Sequence, residues 1–194
     1  MDILDTLFGS GAKVKIMKLF VLNPDKVFES RDISKRSKVS SGTVRSVLSN
    51  LKKAGLIKQK TITKGKRKIR GWHLNEAFPY FHQLKSLIST DRPFTRNSLI
   101  QRFRPAGRVK LIITSGAFLD ISDSRVDLLV VGDSLKPGRI DTIIKKIESE
   151  AGKELRYAIS NTDDFRYRLQ SYDKFIRDIL DYPHEVVLDK IGLK

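Results

Sequence analysis

The sequence predicts a mixed α/β (α+β) protein with two domains. A chain of 194 residues, 40% of them hydrophobic, is long enough for two small domains with a core each. Three helical patterns and a hairpin pattern fill the first 75 residues, whereas strand and helix patterns alternate in residues 107–194. Residues 1–90 carry 19 basic and 6 acidic side chains, against 19 and 16 in residues 91–194. We therefore expect a strongly basic N-terminal domain and a nearly balanced C-terminal one.

The first three helices are predicted from apolar spacing and capping residues. AKVKIMKLFVL repeats apolar residues at helical spacing until Asn23-Pro24 ends the helix, and the Gly-Ser of the preceding LFGSGAK is interpreted as its N-cap. Ser30 is expected to cap a short helix, RDISKRS. Ser40 or Ser41 is expected to cap the third, GTVRSVLSNLKKAG, which Gly55 ends. The residues expected on its buried face are Val44, Val47, Leu48 and Leu51.

A basic hairpin is predicted after the third helix. In LIKQKTITKGKRKIRGWHL, two strand-like runs flank Lys64-Gly65-Lys66, where the glycine permits a tight turn. Three helices followed by a β-hairpin is the element order of a winged helix-turn-helix domain, which we place at residues 1–75. The stretch DISKRSKVSSGTVRSVLSNLKKAGLIKQ resembles the helix-turn-helix of bacterial and archaeal regulator families, in which L..AGLI leads from the recognition helix into the wing.

The charge of this segment predicts a polyanionic partner. Thirteen Lys or Arg residues and no Asp or Glu lie between Ile33 and Asn75. Clustered positive side chains repel one another unless a polyanion binds and neutralises them, so we expect double-stranded DNA as partner. The helix residues expected near bases or phosphates are Ser41, Thr43, Arg45, Ser46 and Asn50, with Arg45 the best candidate for guanine. The wing residues expected on phosphates or in the minor groove are Lys64, Lys66, Arg67, Lys68 and Arg70.

Residues 76–106 are predicted to be a helical linker. FPYFHQLKSLI repeats apolar residues every three or four positions, which is typical of a dimerisation or domain-packing helix, so a homodimer is expected. Asp91-Arg92-Pro93 is interpreted as a joint, and a second helix through SLIQRF is expected to reach Pro105-Ala106-Gly107.

The second domain, residues 107–194, is predicted to be an α/β sandwich. RVKLIITSG and SRVDLLVVGD have the continuous apolar character of central strands, and KELRYAIS predicts a third strand. Helices are predicted over IDTIIKKIESEAG, TDDFRYRL and YDKFIRDIL, the second capped by Thr162 with Asp163 and Asp164 in its first turn. SGAFLDISDSRVDLLVVGD resembles the Gly-Ser loop and Asp-x-Asp strand of the nucleotidyltransferase fold in the DNA polymerase beta superfamily, and the resemblance covers about residues 107–192.

The resemblance implies a degenerate catalytic motif. In active members the Gly-Ser pair holds nucleotide phosphates and two strand carboxylates hold Mg²⁺. Here the loop reads Ser115-Gly116, Arg125 stands at the first carboxylate position and Asp127 at the second. We therefore expect no catalytic residue, metal or cofactor. Asp127 is expected to pair with Arg125 or to hydrogen-bond the Ser115-Gly116 loop, and Arg125 would suit a nucleotide or other anion as effector.

The remaining residues point to no further site. Asp120 and Asp123 are a weaker alternative as metal ligands, and His73, His82 and His184 lack metal-ligand spacing. Trp72 is expected to pack in the core rather than stack on a base. With no cysteine and no signal or membrane-spanning pattern, we expect a cytoplasmic protein that does not contact a membrane.

Together these patterns predict a sequence-specific DNA-binding transcriptional regulator whose nucleotidyltransferase-like domain is a pseudoenzyme for sensing or assembly. An active nucleotidyltransferase that holds its substrate with the basic domain is one alternative, and an antitoxin-like interaction module is another. Arg125 and the Ser115-Gly116 order depart from the catalytic motif and therefore favour the regulator hypothesis over the enzyme hypothesis. The sequence does not separate the regulator from the interaction module.

Overall fold

The computed structural model describes residues 3–64, 67–90, 94–121 and 123–193. They form two compact units, Met1–Pro93 with Lys145–Lys153, and Phe94–Ile144 with Glu154–Lys194. The mixed α/β class predicted from the sequence is confirmed. No helix within these described ranges is long and apolar enough to cross a bilayer.

The first unit contains five helices and a hairpin among its described residues up to Thr90. The elements are α1 (Ile3–Leu7), α2 (Gly11–Val21), α3 (Ser30–Ser37), α4 (Ser41–Lys53), β1 (Ile57–Lys64), β2 (Arg67–Leu74) and α5 (Phe81–Thr90). The predicted order of three helices and an antiparallel hairpin is confirmed for α2 to β2, and α1 is an addition. Gly65 and Lys66, in the predicted turn, lie outside the described residues, as does the predicted joint Asp91-Arg92-Pro93.

Of the three N-caps predicted in the first unit, two are confirmed and one is wrong. Ser10 and Ser40 each accept the backbone N–H three residues on, from Lys13 and Thr43, at 3.3 Å. Ser30, by contrast, is the first residue of α3, which has no side-chain cap. Glu29 is therefore the N-cap residue, one position earlier than predicted, and the Ser30 hydroxyl instead accepts a hydrogen bond from the indole Nε1 of Trp72 at 3.1 Å.

The core of the first unit lies between α2, α3 and α4. The predicted inward face of α4 is fully buried, together with Ile16, Phe20 and Ile33. Trp72 is half-buried and packs against this core, as expected. Its backbone exchanges two hydrogen bonds with Phe28, of 2.8 and 2.9 Å, which anchors the base of the hairpin beside the start of α3.

The second unit is built on a four-stranded sheet in the order β5-β4-β3-β6. Its elements are α6 (Arg96–Phe103), β3 (Arg108–Thr114), β4 (Leu128–Asp133), α7 (Pro137–Ala151), β5 (Tyr157–Ser160), α8 (Thr162–Gln170), α9 (Lys174–Leu180) and β6 (Glu185–Asp189). The residues of α7 from Lys145 onward belong to the first unit. β3 runs antiparallel to β4 and β6, and β4 runs parallel to β5. The two strands predicted as central are therefore central, whereas β6 was not predicted.

The start of α8 differs by one residue from the prediction. Asn161, rather than Thr162, is the N-cap, and its Oδ1 accepts the N–H of Asp164 at 2.7 Å. Asp163 and Asp164 occupy the first turn as predicted. Asn and Thr both favour the N-cap position. Because the helix already begins at Thr162, the cap falls on the residue before it, Asn161.

Candidate nucleic-acid interface

The predicted recognition helix, α4, has one buried and one exposed face. Its apolar residues at helical spacing fill the core, and the intervening positions project into solvent. The residues predicted to contact DNA are all exposed, namely Ser41, Thr43, Arg45, Ser46 and Asn50. The helix thus presents hydroxyl, guanidinium and amide groups together, which are the groups that read base edges and phosphates.

The hairpin has an apolar base and a polar outer part. Ile57 and Leu74 pair at the base and are 1% and 2% exposed. The pairing continues in register to Lys64 and Arg67, the last pair before the turn. Lys68 and Arg70 are exposed, as predicted for wing residues. Lys66 and the side chains of Lys64 and Arg67 lie outside what the structure describes.

The two faces of the hairpin carry different cations. Gln59 accepts a hydrogen bond from Lys52 of α4 at 3.2 Å, so the face that carries Gln59 is turned toward that helix. Arg70 lies opposite Thr61 and Lys68 opposite Thr63, which puts both cations on that same face. Lys58 and Lys60 are exposed on the other face. The sequence prediction did not include these two lysines, although the alternation of side chains along a strand places residues 58 and 60 on the same face.

Among the described residues, no carboxylate neutralises these cations. Arg45, Lys58, Lys60, Lys68 and Arg70 form no ion pair with an acidic side chain in the described part of the chain. Lys38 adds an exposed cation at the end of α3, where it adopts a left-handed conformation with φ of 53°. Unpaired like charges on a helix and an adjoining hairpin create a positive potential that attracts a polyanion.

In the second unit, Asp127 is buried and bound by the backbone. It precedes β4, is 4% exposed, and accepts the N–H of Ala117 at Oδ1 (2.8 Å) and the N–H of Arg156 at Oδ2 (2.7 Å). The backbone carbonyl of Asp127 also accepts the N–H of Ser115 at 2.9 Å. The expected link between Asp127 and the Ser115-Gly116 loop is therefore present, and the carboxylate itself reaches the next residue, Ala117.

The alternative pairing of Asp127 with Arg125 is wrong. Arg125 forms an ion pair with Asp178 of α9, with 3.8 Å between Nε and Oδ2, and its guanidinium lies 6.0 Å from the ring centre of Phe175. Arg156 stands near Asp127 instead, with 3.7 Å between Nε and Oδ2. Arg125 and Asp127 precede the strand, so strand alternation does not orient their side chains.

The Ser115-Gly116 loop is engaged in internal hydrogen bonds. Ser115 Oγ donates to the carbonyl of Pro183 at 2.8 Å and lies 2.6 Å from Ser124 Oγ, which in turn accepts the N–H of Gly116 at 2.9 Å. Gly116 has φ of 50°, and a Cβ there would overlap the Asp127 carboxylate. The Ser115 and Ser124 hydroxyls, the Gly116 N–H and the Asp127 carboxylate are thus used to hold this loop.

The described residues contain no group of three or more His, Asp or Glu side chains that could hold a metal ion. Asp120 and Asp123 are exposed, and Asp120 has a left-handed backbone. The histidines have separate surroundings: His82 packs beside the ring of Phe81, and His184 contacts the carbonyl of Tyr182.

Asp133, at the end of β4, is a carboxylate with a shifted pKa. Lys110 Nζ is 2.7 Å from Asp133 Oδ2, and this ammonium, together with Thr162, lowers the pKa of Asp133 from 3.8 to about 2. Because the pKa of Asp133 is lower in the folded protein than in the unfolded chain, the ionised carboxylate stabilises the fold at pH values above the ordinary pKa. This contribution is lost as the pH falls from about 4 to about 2.

We expect the difference in melting temperature between the parent and Asp133→Asn to shrink as the pH falls from about 4 to about 2. Lys110→Met should reproduce the effect, and a constant difference down to pH 2 would contradict it.

No protein-family model, curated protein or solved structure matches this chain.

Proposed function

We propose that the chain is a sequence-specific double-stranded-DNA-binding transcriptional regulator of winged helix-turn-helix type. The observation that carries the proposal is the exposed face of α4 beside a basic hairpin, within a segment that has 13 Lys or Arg and no acidic residue. A polar helix face of this kind fits the major groove, and cations on an adjoining hairpin fit the flanking phosphates or the minor groove.

The two parts of the interface have different tasks. Arg45 is exposed on α4 and has the planar donor fork that matches O6 and N7 of guanine, so it reads sequence. Lys68 and Arg70 share the hairpin face that contains Gln59, which α4 contacts through Lys52. They bind the backbone and position the helix, without distinguishing one sequence from another.

The proposal gives the second unit a non-catalytic, nucleotidyltransferase-like role in sensing or assembly. What supports it is the state of Asp127, whose two carboxylate oxygens accept backbone N–H groups, and the engagement of Arg125 with Asp178. Metal-dependent nucleotidyl transfer needs carboxylate oxygens that face the metal and the phosphates. An anionic effector and a cytoplasmic homodimer complete the proposal, and a footprint of two half-sites about 10 base pairs apart is expected of such a dimer.

Alanine substitutions separate sequence reading from backbone binding. A preferred site is first defined by genomic footprinting of the full-length protein. On that site Arg45→Ala should cost roughly 1–3 kcal/mol, with a much smaller loss on random DNA, because one bidentate base contact is removed. Lys68→Ala and Arg70→Ala should weaken binding to both duplexes equally, because phosphates are the same in every sequence.

Fluorescence anisotropy with both duplexes measures these losses. Lys174→Ala is the matched control, since it removes one exposed cation from the second unit and should leave both affinities nearly unchanged. Equal losses on specific and random DNA for Arg45→Ala would mean that α4 does not read the sequence.

A further inference from the structure

The first unit contains a cavity of about 430 Å³ that the DNA-binding proposal does not use. Its walls come from α2, from the C-terminal part of α4 and from the α5 region, through Met17, Leu51, Phe78 and Leu84 among others. Small-molecule sites in proteins occupy about 300–1,000 Å³, so the volume suits a compact organic ligand.

The surface that lines the cavity is almost entirely apolar. Three aromatic rings, from Phe8, Phe78 and Tyr80, line it together with aliphatic side chains. An apolar molecule gains by leaving water for such a surface, and a flat ring also gains from contact with aromatic walls. A highly charged ligand such as a nucleotide would lose its hydration there without compensation. The body of the ligand is therefore apolar.

One cation stands at this apolar wall. Of the twelve lining residues Lys13 alone carries a formal charge at neutral pH, and none is acidic. Lys13 is half-buried, and its ammonium donates one hydrogen bond, of 3.3 Å, to the carbonyl of Phe8. An ammonium has three donors, so it can bind an anionic oxygen without giving up that contact. Asn50 and Gln83, which are neutral, are also among the lining residues.

We propose that this cavity binds a small monocarboxylate with an aromatic or branched aliphatic body, with the carboxylate on Lys13 and the body between α2, α4 and α5. The ligand contacts Asn50 and Leu51, and so touches the helix that we propose reads DNA. Binding itself does not depend on DNA, so it is measured without any duplex, and its failure would leave the proposed function intact.

Methyl NMR of the full-length protein tests the site. Phenylacetate and 4-methylpentanoate are titrated against phenylacetamide, which has the shape of phenylacetate without the charge. Saturable shifts of the methyl groups of Met17, Leu51 and Leu84 are expected with both acids, at affinities about tenfold or more above that of the amide, because a charge-assisted hydrogen bond is lost in the amide.

Two substitutions on α2 provide the matched comparison. Lys13→Met should reduce the affinity for phenylacetate to that for phenylacetamide, whereas Lys15→Met, which removes a charge from the same helix outside the cavity, should not. Leu84→Trp, which fills the cavity, should abolish the shifts while the remaining spectrum stays folded.

Three outcomes would overturn the proposal. One is the absence of saturable shifts with either acid, and another is equal affinity for acid and amide that Lys13→Met leaves unchanged. The third is a shift of the same methyl groups with protein concentration alone, accompanied by a doubled mass in analytical ultracentrifugation. That result would mean that a second copy of the chain covers the cavity.

Discussion

Replacing Asp127 with alanine is expected to lower the free energy of unfolding of the second unit by about 3 kcal/mol. The side chain is buried, and its two oxygens accept the N–H groups of Ala117 and Arg156. Each hydrogen bond to a charged group contributes about 1.5–3 kcal/mol, and the substitution leaves both donors without that acceptor. The nearby guanidinium of Arg156 is more than half exposed, so its 3.7 Å ion pair adds little.

Urea unfolding followed by circular dichroism measures the loss, and amide hydrogen exchange locates it. The Ala117 and Arg156 amides should exchange faster in the variant. Asp178→Ala is the control because it removes a carboxylate from a partly exposed ion pair with Arg125, 3.8 Å long, and its cost should stay below about 1 kcal/mol. Equal stability of the parent and Asp127→Ala would show that the carboxylate is not structural.

The same variant tests the non-catalytic role that we propose for the second unit. With Mg²⁺ or Mn²⁺ and any of the four labelled NTPs, the purified protein should transfer no label to itself, to DNA or to a partner protein. Labelling by the parent that disappears in Asp127→Ala would promote the enzyme hypothesis. Nucleotide binding without transfer would instead support a sensing role.

Affinity for duplex DNA should fall by about 250- to 1,000-fold between roughly 50 and 200 mM salt. Neutralising about five phosphates per protomer releases condensed counterions and gives a log-log slope of about −4 to −5. The described part of the basic segment supplies enough cations for this, since Arg45, Lys58, Lys60, Lys68 and Arg70 are exposed and have no carboxylate partner there.

The slope is measured by titrating the full-length protein against one duplex at several salt concentrations. Combining Lys68→Ala with Arg70→Ala should make the slope shallower by about 2, because each cation accounts for about one phosphate. Lys174→Ala should leave it unchanged. An affinity that stays flat over this range would contradict an electrostatic interface.

Local patterns predicted most of the helices and strands. The apolar spacing of α4 and the alternation of the hairpin depend on neighbours a few residues away, so sequence alone was sufficient. The Ser30 cap was wrong because α3 begins at Ser30 itself, one residue before the predicted start, and spacing places a helix end only to within a residue or two. The hydrogen bond from Trp72 to Ser30 joins residues 42 positions apart and did not follow from local spacing either.

In the candidate sites, too, residues were predicted where a local pattern places them and missed where it does not. The exposed face of α4 follows from helical periodicity, and the five predicted residues all lie on it. The partner of Asp127 did not follow from a motif, because a strand was expected through Arg125 and β4 begins only at Leu128. Lys58 and Lys60 were not predicted because they lie in the first strand of the hairpin, whereas the predicted cations lie at the turn and in the second strand.

The pairing of β6 with β3 has a consequence for synthesis of the chain. About 70 residues separate Thr114, the end of β3, from Glu185, which pairs with it, and translation at roughly 5–20 residues per second needs about 4–14 seconds to make them. Throughout that interval one edge of β3, with the apolar residues Leu111 and Ile112, lacks its eventual neighbour. A bare apolar edge is a template for pairing with other chains. While residues 115–185 are being added, this edge of β3 is therefore open to pairing with another chain.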